Sequence, residues 1–144
     1  MHIHTRKFAM IGGWVMLVMG ILSLIPTLSQ NTYLLPALRL ENSYGLFLGF
    51  FPMNILNKLA LILFGVAGIM ASRTDNVIAS VKYSRIVCVA MGGLALLGLF
   101  PSTNTLFGYW PLFGGEIVGH GIFALLGGYF GYAVPASIKR TVDL

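Results

Sequence analysis

The stretch FAMIGGWVMLVMGILSLI, residues 8–25, runs for 18 residues without a charge, interrupted only by Ser23 and closed by Pro26. An α-helix of that length and composition is what a bilayer's hydrocarbon core accommodates. Arg6 and Lys7 precede it, as in a secretory signal peptide, but Thr27-Leu28-Ser29 makes a poor cleavage site and the run exceeds a signal core. A retained first transmembrane helix is expected.

Three further runs follow. Residues 52–71 open on Pro52, which reads as a first-turn proline whose missing N–H costs nothing. Residues 83–100 end at Pro101, and residues 116–134 end at Pro135. Four such spans use most of the 144 residues, so the expectation is an all-α, four-transmembrane-helix bundle forming a single integral membrane domain over 1–144. The composition agrees, with 57% hydrophobic and 9% charged residues. A soluble domain carries about a quarter charged residues, so a water-soluble enzyme, a nucleic-acid module and a disordered tail are excluded.

The net charge of +5 is a matter of topology rather than of nucleic-acid binding, since no basic stripe is present. Arg6, Lys7, Arg73, Lys82, Arg85, Lys139 and Arg140 fall on one side of the four spans, and Arg39 is alone in the opposite loops. The positive-inside rule then puts both termini in the cytoplasm. Phe107, Tyr109, Trp110 and Phe113 in the second outer loop read as an interfacial aromatic belt. The apolar stretch 43–51 is too short to span and is expected at the interface or folded over the bundle mouth. Cys88, the single cysteine, packs as a small hydrophobe.

Helices two and four share a pattern at an offset of 62: Asn54-x3-Lys58-x6-Gly65 and Glu116-x3-His120-x6-Gly127. Glycine pairs Gly12-Gly13 and Gly92-Gly93 mark helices one and three, so two related hairpins in parallel orientation are expected. Helix four also carries Gly115-x3-Gly119 and Gly127-x3-Gly131, small-residue spacings that allow close helix packing. Seven glycines within 114–131 cover more than one helix face, and the surplus points to a homo-oligomer or a hetero-complex through helix four, with Gly127 and Gly131 at the contact.

The chemistry-bearing residues are those a membrane should exclude: Asn54, Asn57 and Lys58 on helix two, Glu116 and His120 on helix four. The shared span direction puts Asn54 level with Glu116 and Lys58 level with His120, which predicts a salt bridge or shared hydrogen-bond network joining Lys58 to Glu116, with His120 below it. Three readings stay open: a structural clasp between the helices, a pocket for a polar head group or quinone-like ligand, and a metal or tetrapyrrole on His120. A lone intramembrane histidine is a thin metal signature, and His2 and His4 sit in a terminal segment, so no metal site is assigned. No nucleophile–base pair, phosphate loop or Gly-x-Ser-x-Gly pattern occurs, and no enzymatic activity is expected.

Several phrases resemble a family of small bacterial four-span membrane proteins filed as a domain of unknown function. They are the first helix from Arg6 to Pro26, Gly49-Phe50-Phe51-Pro52-Met53-Asn54-Ile55-Leu56, Phe64-Gly65-Val66-Ala67-Gly68, Tyr83-Ser84-Arg85, Leu106-Phe107-Gly108, Pro111-Leu112-Phe113-Gly114, and Glu116 with His120. The resemblance implies an Asn-x-x-His-Asn-x-x-His run in helix two and an Asp before the helix-four histidine. Here Asn54 and His120 are kept, Asn57 and Leu61 stand at the two histidine positions, Lys58 at the second asparagine and Glu116 at the aspartate. The resemblance supports fold and location and supplies no activity. Two functional expectations follow. The first is a non-catalytic accessory or structural subunit of a larger assembly in the bacterial inner (cytoplasmic) membrane. The alternative is a quinone- or tetrapyrrole-type cofactor-binding protein using Asn54, Asn57, Lys58, Glu116 and His120.

Overall fold

The computed structural model describes residues 2–30 and 32–136. Helix α1 spans His2–Ser23, α2 Ile55–Arg73, α3 Val77–Gly98 and α4 Gly115–Gly128, the last continuing as a π-helical turn over Tyr129–Ala133. All four are long and apolar enough to cross a membrane once that turn is counted with α4. Lys139 and Arg140, assigned above to the cytoplasmic side, lie outside the described residues.

Each boundary has a local cause. Pro26 cannot continue the α1 ladder, and the last turn is closed by Ser23 Oγ donating to Gly20 O at 2.8 Å. Helix α2 begins three residues later than the sequence reading, at Ile55 instead of Pro52. Asn54 is its N-cap, accepting from Leu56 N at 3.0 Å, and Asn57 Oδ1 reaches back to Asn54 N at 3.1 Å. Such reciprocal capping satisfies donors that a helix start leaves orphaned. Helix α3 starts at Val77, six residues before the apolar run, because Asn76 caps it by accepting from Ile78 N at 2.9 Å. Lys82 stands between that first turn and the apolar run and hides it from a hydropathy reading.

The principal departure from an all-helical chain is the first outer connection. Strands β1 (Ser29–Gln30), β2 (Gly45–Phe47) and β3 (Phe51–Met53) form an antiparallel sheet in the order β1-β2-β3. Pro52 pairs with Leu46 on the edge strand, a position that tolerates its missing N–H. The sheet seats Phe47, fully buried, on the bundle. The stretch 43–51 therefore folds over the bundle mouth.

Helix α1 lies along α2 and α3 along α4, the two hairpins expected from the sequence. Their seams are built alike. A Cβ on Gly65 would meet Gly13 O of α1 at 2.7 Å, and one on Gly127 would meet Ser84 O of α3 at 2.7 Å. Between the pairs lies a core of Phe8, Ala9, Met16, Tyr83, Val87 and Met91, with Tyr83 donating to Phe64 O at 3.0 Å. Large apolar side chains point outward along the spans, with Leu63, Val89 and Leu125 exposed by 69%, 68% and 78%. A soluble protein would bury such residues; a bilayer solvates them.

Candidate functional site: a polar clasp above a methionine-lined cavity

The five polar residues singled out in the sequence divide between two tasks. Asn54, Asn57 and Lys58 fasten the outer loops to the bundle. Asn54 Nδ2 donates to Leu40 O at 3.0 Å and to Tyr109 O at 2.7 Å, tying both outer connections to the start of α2. Asn57 Nδ2 donates to Pro111 O and to Glu116 Oε2, each at 2.9 Å. The loops also hold each other, Arg39 N donating to Gly108 O at 2.8 Å. In the first loop Tyr44 donates to Pro36 O at 3.0 Å, and its hydroxyl is pushed up to about 12 by burial, with the Glu41 charge adding.

The expected Lys58–Glu116 ion pair does not form. Lys58 Nζ donates to Ser43 O at 2.6 Å and Ser43 Oγ at 2.8 Å. The reason is rotational: adjacent helical residues point 100° apart, so when Asn57 faces α4, Lys58 faces the sheet. Register shifts accordingly, and Asn57 rather than Asn54 is the α2 residue that meets Glu116. The lysine instead stabilises a strained turn, since Ser43 has φ +56°, the left-handed region costly for a side-chain-bearing residue.

Glu116 and His120 turn inward. Glu116 is buried in the first turn of α4, and His120 Nε2 lies 3.6 Å from its Oε2, just beyond hydrogen-bond length. Among the described residues His120 Nδ1 is buried without a hydrogen-bond partner. Both residues line a cavity of about 40 Å³ with Met16, Met19, Phe51, Met53, Leu61, Met91, Gly119 and Phe123. The cavity therefore collects side chains from all four helices and from β3. The methionines carried no signal in the sequence beyond the same-face spacing Met16-x2-Met19, since elsewhere thioethers read as generic apolar residues.

Gly127 and Gly131 both sit against α3. A Cβ on Gly131 would meet Arg85 N at 2.9 Å, and the Gly131 carbonyl accepts from Arg85 Nε at 2.8 Å. These glycines are thus spent within the chain. Gly121, by contrast, has open space where a Cβ would be.

Four long apolar helices with a lipid-suited exterior and a capped polar interior define a multi-pass helical membrane protein. The family model for a domain of unknown function, DUF4383, matches residues 6–133, and the chain belongs to that family. No curated protein and no solved structure matches the chain.

Proposed function

We propose that this protein binds a small ligand in the cavity beneath the outer clasp, acting by binding rather than by turnover. One observation carries the reading: among the described residues His120 Nδ1 is buried without a partner, on a residue that lines a cavity. A polar atom left so costs about 1–3 kcal/mol, and buried polar atoms without partners are uncommon enough to call for a cause. A ligand at the cavity relieves that cost. Size narrows the class. A space of about 40 Å³ takes an ion or a water-sized species as it stands. Native mass spectrometry of gently purified protein is expected to show one small bound species, lost in Gly119→Leu, which fills the cavity wall. A wild-type mass equal to that of the bare chain would reject the reading.

A second reading, an accessory subunit docked through α4, is favoured by one face of that helix. Val118, Ile122 and Leu125 are exposed there beside Gly121, at spacings that share a stripe. Gly121→Leu should then reduce recovery of a stoichiometric partner without lowering thermal stability; unchanged recovery would dismiss the docking face.

For location, the family resemblance supports a bacterial inner membrane, and the charge asymmetry supports both ends being cytoplasmic. In a Cys88→Ala background, Ser102→Cys should react with an impermeant thiol reagent from the periplasmic side only. Labelling from the cytoplasmic side would reverse the topology.

A further inference from the structure

Four of the seven methionines, Met16, Met19, Met53 and Met91, converge on the cavity that His120 and Glu116 line. They arrive from different elements: Met16 and Met19 from α1, Met53 from the end of β3, Met91 from α3. Methionine ordinarily serves cores as a flexible gap-filler. That role does not account for this place, because adaptable side chains that only filled space would close the void that His120 lines. Met16 is otherwise engaged, its sulfur 3.8 Å from the Tyr83 hydroxyl. Three other methionines line the same space, and with His120 they offer four soft or borderline donors.

We propose that this cavity is a binding site for a soft, monovalent transition-metal ion of the Cu(I) class, held by Met19, Met53, Met91 and His120. The assignment rests on the ligand-binding reading above and names its ligand. Thioethers are poor ligands for Mg²⁺ and Ca²⁺, which take oxygen, and they select Cu(I) among first-row ions. Zinc prefers thiolate, imidazole and carboxylate ligands, and among the described residues no group of three His, Cys, Asp or Glu gathers at one place. A single positive charge also suits a site inside a membrane bundle. The sole acidic residue within the four spans, Glu116, lines the same cavity.

The surroundings of His120 match a metal ligand's. Imidazoles that bind metals typically turn their second nitrogen to a carboxylate, which fixes the tautomer and raises the basicity of the ligating atom. Here Nε2 faces Glu116 at 3.6 Å, and the same carboxylate oxygen is held by Asn57 at 2.9 Å. With Nε2 on the Glu116 side, Nδ1 is the ring atom left for a ligand. The clasp and the cavity are joined through one atom, Glu116 Oε2. Asn57 is a positioning residue for the ligand His120.

The test is titration of the purified, detergent-solubilised chain with Cu(I), and separately with redox-inert Ag(I), against a competing chromophoric chelator. One equivalent should be retained per chain. The Met53→Leu/Met91→Leu variant conserves volume and should lose retention by more than about 100-fold, beyond the 10–100-fold that loss of a supporting group such as Glu116→Gln costs. Met10→Leu/Met70→Leu, at methionines exposed by 43% and 65%, should bind as wild type does. X-ray absorption should show sulfur and nitrogen scatterers, the nitrogen lost in His120→Ala. A thermal melt of each variant establishes that it is folded. Absence of a retained equivalent, or equal retention by wild type and the Met53→Leu/Met91→Leu variant, overturns the metal assignment. If the native mass of those same samples then shows a different species lost in Gly119→Leu, the ligand site stands with another occupant. If it shows none, both readings fall.

Discussion

Gly127→Leu is expected to unfold the α3–α4 hairpin, with a loss of about 3 kcal/mol or more, the upper end of the overpacking range. A Cβ at this position would lie 2.7 Å from Ser84 O and 2.8 Å from Cys88 N, both backbone atoms of α3 that cannot rotate aside. The helices would have to separate. In a bilayer no hydrophobic drive brings them back, because lipid chains solvate the exposed faces equally well. A thermal midpoint lowered by roughly 10 °C and a rise in aggregated protein on gel filtration are the expected readouts. Gly121→Leu, placed where a Cβ meets open space, is the matched control and should melt as wild type does. Equal midpoints for the two variants would show that the seam yields more than its backbone contacts imply. This outcome differs from the one the sequence invites, in which leucines at Gly127 and Gly131 disrupt assembly and spare the monomer.

Asn57→Ala should cost about 3 kcal/mol or more, since it strands several buried groups at once. It removes the bond to Pro111 O, the bond to Glu116 Oε2 and the acceptor for Asn54 N. The second outer loop, α4 and the start of α2 would lose their common anchor. Increased proteolysis within 99–114, together with a lowered melting temperature, would register the effect. Lys58→Met makes the informative comparison. It forfeits the bonds to Ser43 but also relieves the desolvation of a buried ammonium group, itself a penalty of several kcal/mol. The two terms nearly cancel, so its stability should stay within about 1 kcal/mol of wild type, with new cleavage confined to the loop around Ser43. A greater loss for Lys58→Met than for Asn57→Ala would restore the ion pair with Glu116 as the main tie.

How far these features can be read in the chain depends on the range of the interaction involved. The four spans are legible because lipid acts on each run of about 20 residues separately. Phe8 through Ile25 is apolar whatever its neighbours do. The polar cluster stands out for the same reason, since Asn54, Asn57, Lys58, Glu116 and His120 sit at the ends of apolar runs where a membrane penalises them. Their partners were not legible. A shift of one helical position exchanges Asn57 for Lys58 against Glu116, and only the docked position of α4 selects between them. The sheet was missed because its strands have two or three residues each, too few to show an alternating pattern.

The sequence by itself thus determined the number of membrane helices, the approximate place of each and the identity of the polar residues. Each of these follows from local composition meeting a fixed solvent thickness. Tertiary structure alone decided that Lys58 serves Ser43, that Gly127 and Gly131 face α3, and that methionines from three separate elements meet His120 around one cavity. Those outcomes depend on the rotation and axial offset of packed helices. Backbone atoms in contact across a glycine seam set both quantities, and hydropathy along a single helix carries no record of them.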